Sequence, residues 1–427
     1  MSFSQALSGL AAQSDNLKVI SNNIANSQTV GFKSGNTVFA DVFAGATSKV
    51  GLGTSVAAIT QDFTSGDLEN TGRNLDLAVA GEGFYRLEQP NGEVVFSRNG
   101  QFNQDADGFL VNATGQLLTG SPLNENIQED TAAQLAFPFS NLVKGGAPQP
   151  IFVSTQGMPA KATSEVSSAY NLDASIDPTN NDLISQATVD DGTDDGLEVD
   201  YHYSSTFSVY DSLGNARNIT TYFQKTGDNA WSATAYMDGK TSLGNVSYNI
   251  AFDNKGKITA PGTNDDDFLT PLAFNPDGGA LPLTIDLKLA GTTQFASNSV
   301  QSSLSQNGFP SGALVGITIE EDGRVMRNFS NEQSAVSGQI ALVTFANKEG
   351  LQPDGDNAWR ATNASGEPVI GIAGTGMFGT IAAGVLENSN VDLAKQLVDM
   401  IVAQRAYQAN SSSISTQDEL LQTVIQL

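Results

Sequence analysis

Residues 388–427 read NSNVDLAKQLVDMIVAQRAYQANSSSISTQDELLQTVIQL, and within them Leu393, Met400, Tyr407, Ile414 and Leu421 recur every seven residues. Leu397 and Ile425 flank that row and no Gly or Pro interrupts it, so the stretch predicts one long helix whose apolar stripe needs a partner. The other end of the chain offers one. Phe3, Leu10, Leu17 and Ile24 also fall seven apart, with Leu7 and Ile20 beside them, over a predicted helix from Ser2 to about Ser27 that contains Gly9. In both stripes the second row is weak: Ser14 and Ser21 at one end, Gln404, Ser411 and Asp418 at the other. A stable two-helix seam wants both rows apolar. The two ends are therefore expected to pair and to bury their remaining face against neighbouring copies of the chain. The plainer reading is an intramolecular helical hairpin on a globular body, but sustained heptads favour a coiled coil.

Composition narrows the partners. The chain has 427 residues, enough for two to four domains, and a formal net charge of −26 from 46 acidic and 20 basic residues. Binding to nucleic acid or to an anionic membrane surface is disfavoured by that balance. The charge is unevenly spread. Residues 1–30 hold one acid, Asp15, and one base, Lys18, and residues 388–427 hold four acids and two bases, so nearly all of the excess falls between them. Near-neutral ends can approach one another closely, whereas the acidic middle repels its like unless solvent and salt screen it. There is no cysteine, which excludes disulfides and thiolate metal sites, and no run of eighteen apolar residues that would span a membrane. The start, Met1-Ser2-Phe3-Ser4-Gln5, lacks the basic and apolar regions of a secretory signal peptide.

Between the helices the pattern is β. Helix should yield to extended chain near Gly31, because Ser21-Asn22-Asn23-Ile24-Ala25-Asn26-Ser27 is rich in side chains that compete for backbone hydrogen bonds. From Gly35 to Gly66 no period is sustained, and an irregular or extended connector is expected. Short apolar runs follow at Leu75–Val79, Gly83–Leu87, Val94–Ser97, Phe109–Val111 and Gln116–Leu118, punctuated by Asn91-Gly92, Asn99-Gly100 and Asp107-Gly108, dipeptides suited to hairpin turns. Pro148 and Pro150 mark a boundary, beyond which strands are clearest at Ser204–Tyr210, Ile219–Lys225 and Trp231–Met237. The chain returns to the first β region near Gln306, with strands at Leu314–Glu320, Arg324–Phe329 and Gln339–Phe345 around the turn Asp322-Gly323. The expected architecture is mainly β with α-helical termini, as nested discontinuous domains on a terminal helical coiled-coil pair. Residues 1–30 and 388–427 form the helical domain, 31–69 and 361–387 an extended connector, 70–147 with 307–360 an inner β domain, and 148–306 an inserted outer β domain.

Two stretches at opposite ends, LKVISNNIANSQTVGFK over Leu17–Lys33 and SNVDLAKQLVDMIVAQRAYQANSSSISTQDELL after Asn388, resemble the terminal signatures of the flagellar rod and hook family of axial proteins. The likeness continues through NTGRNLDLAVAGEGFYRL and FSRNGQFNQDADGFLVNATGQLLTG, and on the return path through GQIALVTFANKEGLQPDGDNAWRATNASGEP and GTGMFGTIAAGVLENSNVDLA. The motif maps onto Asn22, Asn23, Ala25, Asn26, Gly31, Phe32 and Lys33. What the resemblance implies is a structural subunit without cofactor, self-assembling into a hollow helical polymer through Phe3, Leu7, Leu10, Leu17, Ile24, Leu393, Leu397, Met400, Tyr407, Ile414, Leu421 and Ile425. It further implies type III export without a cleaved signal peptide, and as neighbours a distal rod protein, a cap protein and a hook–filament junction protein. Within the family the large outer region and the brief segment between Lys33 and Gly53 favour a hook-type member over a distal rod protein. A secreted β-rich adhesin or binding module is the alternative outside the family, and it leaves the paired terminal heptads without a purpose.

Other motifs read as structure. Asn103, Asp105, Asp107 and Gly108 fit the first half of a calcium loop, but its twelfth position is Thr114 where a bidentate Glu is needed, so a β-turn is expected. The acidic runs Asp190–Asp195 and Asp265–Asp267 read as solvated loops. Gly371, Gly374, Gly376 and Gly379 are not followed by Gly-Lys-Ser/Thr, which rules against a phosphate loop. His202, the single histidine, reads as structural, and Trp359 as a core anchor. No catalytic constellation assembles from these residues, and no enzyme activity or metal site is expected.

Overall fold

The computed structural model describes residues 3–42, 51–122, 146–179, 184–261 and 268–426, with side chains through Thr423. The chain is mainly β, with a helix at each end: α1 spans Phe3–Ala25 and α2 spans Leu393–Gln426. It divides into two compact units. The first comprises residues 1–155, 315–328 and 334–427, and the second residues 156–314 with 329–333.

In the first unit a large sheet runs in the order Leu314–Ile319, Arg324–Phe329, Ser334–Thr344, Leu117–Pro122, Phe84–Glu88, Val94–Ser97, Ala358–Arg360 and Gln352–Gly355. Successive side chains of a strand point to opposite faces, so a strand buried at every position reports a sheet covered on both sides. Phe84 and Tyr85 show this: Tyr85 joins Leu87, Phe102, Leu118 and Leu342 in one core, while Phe84 joins Phe96, Val343, Phe345 and Trp359 in another. Trp359 is an anchor of that second core, as expected. Its ring meets Phe63 and Phe84 edge-on and its Nε1 donates to Gln61 Oε1 at 2.5 Å.

The second unit holds an antiparallel meander of Tyr203–Tyr210, Ala216–Gly227, Ala230–Met237, Lys240–Phe252 and Ile258–Ala260. A second sheet contains Leu269–Phe274, Leu283–Lys288, Glu165–Asp173, Thr293–Phe295 and Val300–Gln306. Alternation is clean here, with Phe207, Val209, Ile219, Phe223 and Trp231 turned into one core shared with Leu272, Phe274 and Ile285 of the other sheet. His202 is structural in this setting: its Nδ1 accepts the Lys225 N–H at 3.0 Å and burial holds its pKa below the usual histidine value.

The turns sort the glycines. Gly108 and Gly323 have φ of +96° and +83°, so only glycine turns the chain there without strain, and Asp105 Oδ1 accepts the Phe109 N–H in a tight turn at the calcium-like motif. Asn99-Gly100 behaves otherwise. It makes no left-handed turn; a Cβ on Gly100 would lie 1.6 Å from the Leu77 carbonyl oxygen, so glycine is needed there for close approach of two backbones. Gly371 and Gly379 likewise sit where a Cβ would meet the Phe378 ring and the Ala80 carbonyl. In the acidic run, Asp191 Oδ1 accepts the Thr193 N–H at 2.9 Å as part of an exposed turn. The Asp265–Asp267 run lies outside the described residues.

The stretch after α1, expected as an irregular or extended connector, is extended and paired. Gly35–Val42 and Gly53–Gln61 pair as an antiparallel hairpin with a bulge at Val38/Phe39. The bulge breaks the alternation that sequence reading relies on. On the return path Val369–Ile372 adds to Ala341–Thr344, Thr380–Ala383 pairs with Leu77–Ala80, and Val385–Glu387 pairs with Leu68–Asn70.

Candidate functional site: the terminal helices and their anchor

α1 and α2 pack against each other, but not along the rows of large residues. On α1 the buried positions are Ala6, Gly9, Ala12, Ile20 and Asn23. These are mostly small, which lets two helix backbones come close: a Cβ on Gly9 would lie 2.9 Å from Asn410 Nδ2 of α2. Phe3 and Leu7 are exposed, and Leu10, Leu17 and Ile24 are half-buried. On α2 the row Met400, Tyr407 and Ile414 is half-buried beside a second row of Gln396, Ala403, Asn410 and Gln417, with Gln396 and Ala403 buried. The second row expected from sequence, Gln404, Ser411 and Asp418, faces solvent. Heptad counting weighs large apolar side chains, whereas close helix approach selects small ones. Leu393 and Leu421 are exposed, and the side chain of Ile425 lies outside the described residues.

The outer side of α2 is apolar. Leu397 and Ile401 are 50% exposed, Val398 60% and Val402 61%. With Ala403 turned toward α1, residues 397–403 are apolar except for Asp399, more than one paired face of a helix needs. Leaving four large aliphatic side chains half in water forgoes about 1 kcal/mol each relative to full burial. Such a face is unfinished in a single chain.

The motif after α1 anchors this helical pair. Asn23 is buried and makes a two-way clasp on Gly35, its Nδ2 donating to the Gly35 carbonyl at 2.8 Å and its Oδ1 accepting the Gly35 N–H at 2.9 Å. The same Nδ2 lies 3.2 Å from Gln396 Oε1, so one side chain joins α1, the hairpin and α2. Asn26 Nδ2 caps back onto the Asn22 carbonyl at 3.0 Å and its Oδ1 accepts from Thr29 Oγ1 at 3.1 Å, which closes the helix end. Ala25 is exposed and Phe32 half-buried. Gly31 has φ +70° and a Cβ there would meet the backbone of Arg98 and Asn99 at 2.8 and 2.7 Å, so only glycine fits.

Lys33 opens a buried charge cluster that sequence reading did not find. Its Nζ lies 2.7 Å from Glu387 Oε1 and donates to the Thr64 carbonyl at 2.6 Å. Glu387 Oε2 lies 3.2 Å from Arg98 Nη1, and Oε1 also accepts the Gly66 N–H at 3.0 Å. The side chains of Lys33 and Glu387 are wholly buried and that of Arg98 is 2% exposed. Burial pushes the Lys33 ammonium below the usual lysine value, against the pull of Glu387. Lys33 follows α1, Glu387 precedes α2 and Arg98 belongs to the β core. Three charges thus fasten both helix roots to one sheet. A single Glu387 among 46 acidic residues carries no sequence signal; its place just before α2 is the only hint.

The chain ties two helix roots to a β body and leaves the outer side of α2 apolar. Residues 4–33 match the flagella basal body rod protein family, 382–427 the flagellar basal body rod FlgEFG protein C-terminal family, 78–139 the flagellar hook protein FlgE/F/G D1 domain, and 171–309 the flagellar basal body protein FlaE D2 domain. The chain is 43% identical to the flagellar hook protein FlgE of Escherichia coli K12 and 44% identical to that of Salmonella typhimurium LT2, with full coverage of both sequences in each case. It is 32% identical to the flagellar hook protein FlgE of Borreliella burgdorferi over 99% of its own length and 98% of that protein. A crystal structure of Helicobacter pylori flagellar hook protein FlgE2 superposes with a TM-score of 0.52 at 15% identity, covering 75% of this chain and all of that one, and shares the fold. The chain belongs to the flagellar hook protein family.

Proposed function

We propose that the chain is the structural subunit of the flagellar hook, polymerising with copies of itself into a curved, hollow helical tube that acts as a universal joint between rod and filament. The observation that carries this reading is the exposed aliphatic face of α2, Leu397, Val398, Ile401 and Val402, on a helix already paired on its other side. A lattice of identical helices buries such a face at every repeat, with the seven-residue rows of both termini in the seam. Residues 70–147 with 307–360 serve as the inner β domain of the tube wall. Residues 148–306 serve as the outer domain, whose acidic surface makes small, slidable contacts that permit bending. The subunit joins a distal rod protein below and a junction protein above, grows beneath a cap protein, and reaches the extracellular tip through the flagellar type III export apparatus. Its work is mechanical and requires no catalytic group.

Electron microscopy of the concentrated protein tests the reading. Curved tubes are expected; straight tubes would assign a rod-like role, and protein that stays monomeric at high concentration would overturn self-assembly.

A further inference from the structure

The hairpin Gly35–Val42/Gly53–Gln61 also carries exposed apolar side chains. Phe39 and Ile59 share one face, since Ile59 pairs with Thr37 two residues from Phe39, and are 41% and 57% exposed; Val38, on the other face, is 44% exposed. The hairpin runs alongside α1. It is fastened at one end by Asn23 to Gly35 and at the other by Ser8 Oγ, which accepts the Thr54 N–H at 3.3 Å, and Thr54 pairs with Asp41. From Gly35 to Asp41 an extended strand covers about 20 Å, and from Asn23 back to Ser8 a helix covers about 22 Å, so the two axes run together.

The same ruler places α2. Gln396 is level with Asn23 and Asn410 with Gly9, so Leu397–Val402 lie about 2–9 Å below the level of Asn23. Ile59, which pairs with Thr37, lies about 7 Å below that level, and Val38 and Phe39 about 10–13 Å below it. The two exposed apolar patches of one chain therefore stand at nearly the same height on different elements. Residues 31–61 carry only Lys33, Asp41 and Lys49, and the helices are near neutral, so like-charge repulsion does not keep copies apart at this level.

We propose that a second copy of the chain covers both patches: Phe39 and Ile59 of one subunit seat against Leu397, Val398, Ile401 and Val402 of its lateral neighbour. Two different patches facing each other make a heterologous contact, which repeats head to tail and generates an open helix when the rotation does not close. This rests on the hook-subunit reading and gives it a defined side-to-side contact.

The chain has no cysteine, so single cysteines report neighbours directly. Phe39→Cys and Ile401→Cys subunits are mixed, assembled and oxidised. A mixed dimer is expected from the mixture, with no dimer from either variant assembled alone. Tubes that give no mixed dimer, or in which either variant links only to itself, would overturn the contact. Aspartate variants separate this from the parent reading, with the monomer's melting curve checking that each is folded. Phe39→Asp/Ile59→Asp and Ile401→Asp are each expected to reduce the assembled fraction at least tenfold. If the hairpin variant assembles like the parent while Ile401→Asp does not, the hairpin contact is wrong and assembly through α2 stands. If both assemble like the parent, neither patch lies in the seam, and the hairpin contact and the α2 seam are both wrong.

Discussion

The second unit and the helical pair treat apolar residues in opposite ways. In the second unit Trp231, Phe223, Ile285 and Leu287 are fully buried in a core that two sheets close between them. On α2 Leu397, Val398, Ile401 and Val402 look outward, while the buried positions of the paired helices include the small residues Ala6, Gly9, Ala12 and Ala403. One region is complete as a single chain, and the other is complete only in company. On the proposed function, stability and assembly are therefore separable properties, located in different residues.

The largest effect that separates them falls on the anchor. Glu387→Gln would leave Lys33 and Arg98 as two buried cations with no counter-charge, a loss of about 5 kcal/mol. Calorimetry is expected to show the first unit's transition falling sharply while the second unit's stays in place; an unchanged first transition would mean that the cluster does not hold the helix roots.

Trp231→Ala should do the converse. Removing a fully buried indole, whose Nε1 lies 3.3 Å from Gln294 Oε1, costs about 4 kcal/mol and is expected to lower the second unit's transition alone. Assembled tubes should still pellet. Loss of pelleting would show that the second unit is not independent of the seam.

The smallest effect concerns Lys33. Lys33→Met keeps the neutral pair Glu387–Arg98 and is expected to stay within about 2 kcal/mol of the parent. Because the folded-state pKa of Lys33 lies below the ordinary 10.5, the unfolded chain binds more protons between those two values. The parent therefore gains stability relative to Lys33→Met as pH rises through that window. Denaturant melts of both proteins across the alkaline range measure the difference; a difference that is flat with pH would mean that burial does not shift Lys33.

Much of this contrast is legible in the sequence. Strands Val94–Ser97 and Arg324–Phe329 have the expected ends, because β-branched and aromatic residues there are bounded by turn residues. The terminal helices follow from their seven-residue rows. The hairpin after α1 was hidden by its bulge, and the intrachain seam by the small size of Ala6, Gly9 and Ala12, which a count of large apolar residues passes over. Asn23 and Lys33 sit in a recognisable motif, but their partners Gly35, Gln396, Arg98 and Glu387 come together only through long-range folding. Neither composition nor periodicity reports such encounters.

On the proposed function, copies are held through the exposed face of α2. Val402 is 61% exposed in the single chain, so Val402→Asp leaves no buried charge in the monomer but places one in every seam of a tube. Sedimentation of the concentrated variant beside the parent, with a melting curve of each monomer, is the direct measurement. The variant is expected to melt like the parent and remain in the supernatant while the parent pellets as tubes. A Val402→Asp subunit that melts normally and pellets as the parent does would place the seam elsewhere.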